Sequence, residues 1–198
     1  MPQYSQQHKG FHFLIDHLLK QRPLKLLDIG CSLCIEGEAL QNAGIEFTGI
    51  DQDEAAIETV RSRFPDKTFI SMDASRYNPD QKTLYEVLLF RRPDLSVQHD
   101  HWQRILKRST KWLTAEGRVY ITTTGEIEAE IAKVMLTHAG YMEITTMYTG
   151  LEEESFMMTA ILDKQKIEED DIPQLPKGVI LWEDEPAPMC DITTGFCD

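Results

Sequence analysis

The chain has 198 residues and is 41% hydrophobic, which suits a single domain of ordinary size with its own core. No apolar run approaches the roughly 20 residues that a membrane span needs, and "MPQYSQQHKG" lacks the apolar centre of a secretory leader. A cytoplasmic protein with no membrane partner is therefore expected, and the net charge of −13 argues against a nucleic-acid partner, since phosphate backbones would repel it.

The elements follow from spacing. Phe11, Leu14, Ile15, Leu18 and Leu19 recur three and four residues apart within residues 6–21, the apolar face of an N-terminal helix that Pro23 stops. "LKLLDI" has the length of a strand, and Ile35 to Ala43 reads as a helix. "IEFTGID" predicts a second strand, and "DEAAIETVRSRF" a helix capped by Asp53. "KTFISMD" and "LYEVLLF" predict two more strands. Gln98 to Leu113 is a helix with Trp102, Ile105, Leu106 and Trp112 largely on one side. "GRVYITTT" is a fifth strand and Glu126 to Ala139 a helix. "YMEITTMYT" and "ESFMMTAIL" predict two consecutive strands joined by a turn at Gly150.

Strands alternating with helices predict a doubly wound α/β fold, a mostly parallel sheet covered on both faces, with an antiparallel pair at its end. The domain is expected to occupy residues 1–164. Residues 165–198 are rich in acids and proline, and residues 152–198 together hold 13 acidic and 3 basic side chains, so most of the negative charge lies there. That segment reads as an acidic tail.

In open sheets of this kind ligands bind beyond the carboxyl ends of the strands. The first three strands end in Asp28-Ile29-Gly30, Gly49-Ile50-Asp51 and Met72-Asp73-Ala74. Gly30 allows a sharp turn close to a ligand. Asp51 stands about 20 residues after that turn, where a carboxylate accepts both hydroxyls of a ribose. Asp73 offers an acceptor to an exocyclic adenine amine.

"LLDIGCSLCIEG", "FTGIDQDEAAIETVRSRF", "FISMDAS", "YEVLLFRRPDL" and "LTAEGRVYITT" resemble, in order and spacing, the successive motifs of class I S-adenosylmethionine-dependent methyltransferases. The resemblance covers roughly residues 24–162. It implies a seven-stranded sheet with the last strand antiparallel, S-adenosylmethionine as cofactor and S-adenosylhomocysteine as product. It also implies that Asp28, Gly30, Cys31 and Ser32 line the methionine end of the cofactor, Asp51 and Gln52 the ribose, and Asp73 and Ala74 the adenine. Phe90 and Arg91 would face the sulfonium and the substrate. The chain departs from the family's Asp-x-Gly-x-Gly-x-Gly pattern by carrying Ser32 and Cys34 at the second and third glycines. Both are small, and the loop accommodates them without strain provided neither position takes a positive φ. Glu86 stands where the fourth motif usually has Asp or Asn.

The expected reaction is in-line methyl transfer to a small or medium-sized acceptor, in which the protein mainly aligns the partners. Where the acceptor needs a base, Glu86, His99, His101 and Asp94 are the candidates, and Arg91 is placed to meet an anionic group. His99 and His101 are two residues apart on a helix and point to different faces; as residues at a helix start they are otherwise expected to be solvated. Tyr4, His8 and Phe11 are candidates for a lid.

A second reading is a methyltransferase-like binding module whose altered loop no longer supports catalysis and whose "GVILWEDEPAPM" docks a basic, grooved partner. A nicotinamide oxidoreductase fits less well, because the further glycines are missing and Asp73 has no task there. Cys31 and Cys34 are read as small packed residues, since the pattern around a thioredoxin-like redox pair is absent. A zinc site joining them to Cys190 and Cys197 would need the tail to fold back over the loop, and no metal is assigned.

Overall fold

The computed structural model of the chain describes residues 16–18, 25–80 and 83–162. Seven strands form one sheet: β1 (Lys25–Ile29), β2 (Glu46–Asp51), β3 (Thr68–Ser71), β4 (Tyr85–Arg91), β5 (Leu113–Thr123), β6 (Tyr141–Tyr148) and β7 (Phe156–Leu162). Their order is β3-β2-β1-β4-β5-β7-β6, with β7 antiparallel to both its neighbours and the rest of the order parallel. The helices are α1 (Gly37–Asn42), α2 (Glu54–Arg63), α3 (His99–Ser109) and α4 (Glu126–Ala139), with a single 3-10 turn at Ala74–Arg76.

Two-residue periodicity explains why the inner strands read as unbroken apolar runs. In β4, Leu88 and Phe90 join the core beneath α3 and α4, while Val87 and Leu89 join the core beneath α1 and α2. In β1, Leu27 and Ile29 face the first of these cores and Leu26 the second. Asp28 and Arg91, next in the alternation, therefore fall on the α1 and α2 side. Residues 16–18 are helical, and Leu18 is buried in that same core.

Local signals place the helix ends. The Asp53 side chain accepts from Ala56 N at 3.1 Å and starts α2. Gly140, at φ 99°, ends α4 in the left-handed conformation that glycine adopts freely. The helix expected to reach Leu113 ends instead at Ser109, and β5 starts at Leu113 rather than at Gly117. The reason is a backbone bond: Tyr85 N donates to Trp112 O at 2.8 Å, which captures the chain into the sheet early. A register shift between Tyr85 and Val87 absorbs the mismatch. The acidic tail, Cys190 and Cys197, and Tyr4, His8 and Phe11 lie outside the described residues.

Gly49, in mid-β2, packs where no side chain fits. A Cβ there would stand 2.6 Å from Phe69 and 2.8 Å from Cys31 Sγ. Gly49→Ala should destabilise the domain by about 1–3 kcal/mol through overpacking, read as a lower midpoint in urea unfolding with an unchanged slope.

Candidate functional site

The sheet reverses its winding between β1 and β4, and a cleft of about 230 Å³ opens at the carboxyl edge of these strands. Gly30 lines it after β1, Asp51 and Gln52 after β2, Asp73 and Ala74 after β3. Arg91, Arg92 and Asp94 line it after β4, with His101 and Trp102 from α3 completing the wall. Gly30 takes φ +74°, and a Cβ on it would lie 3.4 Å from Trp102 Cη2, so the turn lets the chain run close beneath the indole.

The carboxylates are held by backbone. Asp51 accepts from Ser32 N at 2.7 Å and from Asp53 N at 2.9 Å. A carboxylate offers about four acceptor positions, so Asp51 keeps capacity for two further donors on the cleft side. Asp73 accepts from Ser75 N at 2.8 Å, and His101 Nε2 stands 3.4 Å from its Oδ1. Partial burial opposes ionisation of Asp73, but the Ser75 hydrogen bonds and the charges of His101 and Arg76 outweigh it and hold the carboxyl below its ordinary range.

The floor behind Gly30 is ionic. Arg91 Nη1 donates to Glu36 Oε2 at 3.0 Å, and Nη2 donates to Glu154 Oε1. Arg92 donates to Glu153 Oε2 at 2.9 Å, with its Nε 4.0 Å from Glu154. Strand register explains the meeting: Arg91 pairs with Thr122, Thr122 with Met157, so the loop before β7 returns beside the end of β4. Burial works against the Arg91 charge, but Glu36, Glu154 and Asp28 raise its pKa above the ordinary value. Asp28 is fully buried, and its Oδ1 meets no hydrogen-bond donor among the described residues. Burial first, then the Glu36 carboxylate, push the Asp28 carboxyl well above its usual range, although Arg91 and the Cys34 thiol pull the other way. Arg91 is thus shared by Glu36 and Glu154, and Arg92 is taken up mainly by Glu153, which leaves Asp28 without an ion-pair partner of its own.

Asp28, Cys31, Ser32 and Phe90 do not line the cleft. Asp28 and Cys31 sit beneath the loop, Ser32 holds Asp51, and Phe90 is buried with its ring edge-on to Trp102 at 6.2 Å. Glu86 lies at the opposite edge of the sheet, accepting from Lys25 N at 2.9 Å. His99 is buried rather than solvated, with Nδ1 3.3 Å from Asp100, while His101 on the next face lines the cleft. Both thiols are buried, and burial together with Asp28 raises their pKa values, which removes the thiolate character a redox pair needs. Glu36 and Glu154 were not singled out from the sequence, and Trp102 was read only as part of the apolar face of its helix. The one available signal was an Arg pair ending a buried strand, whose charges require acidic partners somewhere.

The condition for an unstrained loop is not met: Ser32 has φ 44° and Cys34 φ 42°. Both positions take the left-handed backbone that glycine would hold without penalty. Arg92 also takes φ 49° where the chain leaves β4.

No family model matches the sequence, and no curated protein matches it. Solved structures do match. A TehB-like S-adenosylmethionine-dependent methyltransferase from Corynebacterium glutamicum aligns at 21% identity and TM-score 0.64, covering 78% of this chain and 88% of its own. The N-methyltransferase NodS from Bradyrhizobium japonicum aligns at 15% identity and TM-score 0.63, over 78% and 94%. The 1,6-didemethyltoxoflavin-N1-methyltransferase of Burkholderia thailandensis aligns at 16% identity and TM-score 0.59, over 79% and 77%. The chain thus has the class I S-adenosylmethionine-dependent methyltransferase fold, and at these identities the likeness is one of fold.

Ser32 is exposed, so Ser32→Gly tests the strain cleanly: it should raise stability by about 0.5–1 kcal/mol in urea unfolding. Asp28 gives a pH test. A carboxyl whose folded pKa is raised contributes fully below its unfolded value, and its contribution is lost as pH rises towards the folded pKa. Asp28→Asn should therefore gain stability relative to the wild type as pH increases from about 4 to 8, measured in metal-free buffer. A constant difference across that range would show that Asp28 is ionised in the native state.

Proposed function

We propose that the chain is an S-adenosylmethionine-dependent methyltransferase acting on a small or medium-sized acceptor. The observation that carries this reading is the convergence of Gly30, Asp51 and Asp73, from the ends of three adjacent strands, on one cleft at the switch point of the sheet. Asp51 suits a ribose diol and Asp73 an adenine amine, and Gly30 lets the methionine portion pass beneath Trp102. The cleft's charge agrees: Asp51, Asp73 and Asp94 border it, while Arg91 and Arg92 are matched by glutamates. A cationic sulfonium is favoured in such a field. The Burkholderia enzyme was solved with S-adenosylhomocysteine and its small-molecule acceptor, and the glycopeptide N-methyltransferase MtfA with S-adenosylmethionine, which supports the same occupant here.

The cofactor supplies an activated methyl group for in-line displacement; the chain's part is alignment. The acceptor enters along Arg92, Pro93 and Asp94. With Arg91 already joined to Glu36 and Glu154, its role is to hold the two loops in place and not to grip an anionic acceptor. For an acceptor that must lose a proton, the base is Asp94 or His101, which border the cleft, rather than Glu86 or His99, which do not.

Calorimetric titration of the purified chain with S-adenosylmethionine and S-adenosylhomocysteine tests the reading. Micromolar binding is expected, weakened about tenfold or more in Asp51→Ala and in Asp73→Ala, a loss of at least ~1.4 kcal/mol. Absence of binding to a folded wild type would overturn it.

A further inference from the structure

Beneath the β1–α1 loop, two buried carboxylates and a thiol converge. Asp28, Cys34 and Glu36 are all buried, and one donor atom from each lies within 4.8 Å of the others. Cys34 Sγ is 3.8 Å from Asp28 Oδ2, and Asp28 Oδ1, fully buried, has no donor among the described residues. Two buried carboxylates that meet without a donor between them must share either a proton or a cation.

We propose that Asp28, Cys34 and Glu36 bind a divalent cation of the zinc type, which pins the loop from below. The donor set selects the class of ion. A thiolate is a poor ligand for magnesium or calcium, whereas zinc and cobalt accept sulfur together with carboxylate oxygen. Tetrahedral ligands at about 2.0–2.3 Å from zinc stand roughly 3.3–3.8 Å apart, so the present cluster needs to close by only a small movement. Glu36 is already held in place, because Arg91 donates to its Oε2 at 3.0 Å.

The exchange balances. One cation enters, the Asp28 carboxyl and the Cys34 thiol each release a proton to solvent, and three metal–ligand bonds form, two in place of bonds to hydrogen and the third to the Glu36 carboxylate. The charge beneath the loop is unchanged, so the Arg91 pairs are not disturbed. The site also accounts for a cysteine at φ 42°, a backbone position where glycine would be free of strain. The proposal is independent of the cofactor reading, since the donors lie under the loop and do not line the cleft.

The test is cobalt(II) titration of the full chain carrying Cys190→Ser and Cys197→Ser, which removes the tail thiols. One cobalt per chain is expected, with thiolate-to-cobalt charge-transfer absorption that zinc abolishes, and about two protons released per ion in calorimetry across two buffers. Cys34→Gly should lose the absorption while keeping its circular dichroism, because the strain that glycine relieves at φ 42° opposes the packing lost with a buried side chain. Asp28→Asn should weaken zinc binding at least tenfold. No thiolate absorption in the folded parent, absorption that persists in Cys34→Gly, or unchanged zinc affinity in Asp28→Asn would each overturn the site. None of these outcomes bears on whether S-adenosylmethionine binds.

Discussion

Arg91 leaves the end of β4 for a space that carboxylates already border: Asp28 from β1, Glu36 from the loop before α1 and Glu154 from the loop before β7. A guanidinium taken out of water there is stable only with its partners in place, and the partners are stable only with it. Two loops far apart in sequence are thereby obliged to fold around one cation. The demand extends to Asp28. Arg91 already serves Glu36 and Glu154, and Arg92 is turned mainly to the exposed Glu153, so the most deeply buried carboxylate, Asp28, is the one driven towards neutrality. The floor of the cleft is thus set by charge matching as much as by apolar packing.

Above that floor, the loop after β1 holds two non-glycine residues in left-handed backbone, each costing about 1 kcal/mol or more. The conformation persists because bonds on all sides determine it. Ser32 N is bound by Asp51, Cys34 N by Cys31 O at 2.7 Å, and Leu33 O by Arg63 of α2 at 2.7 Å. A turn held this way is preorganised, so a ligand meeting it need not spend binding energy to order it. The methyl transfer proposed for this chain relies on alignment, and such rigidity suits it.

The fold was legible in the sequence because its signals are local and repetitive. Apolar runs of strand length, Asp53 at a cap and the 3.6-residue stripe through Trp102, Ile105 and Leu106 each declare their element without reference to distant parts. The cleft carboxylates were legible too, since Asp51 ends β2 and Asp73 follows β3 by two residues. The Arg91 cluster was not. Nothing near Glu154 marks it as buried, and only the return of β7 beside β5 brings it to β4. The backbone state of Ser32 and Cys34 was equally hidden, because a residue type constrains φ without stating it. His99 illustrates the same limit: its position at a helix start suggested solvent, but its side chain turns into the fold.

The outer strand β6 has a different consequence. Among the described residues it ends the sheet, and it exposes Met142 and Tyr148, the latter at 73%. A long, flat strand of this kind would be a template for adding further chains. The register shift between Met142 and Thr145, with Glu143 at φ 51°, breaks its straightness and places a charge at the kink. That irregularity makes the edge a poor template for pairing with another strand, so left-handed backbone shapes the loop at the middle of the sheet and also blunts the sheet's edge.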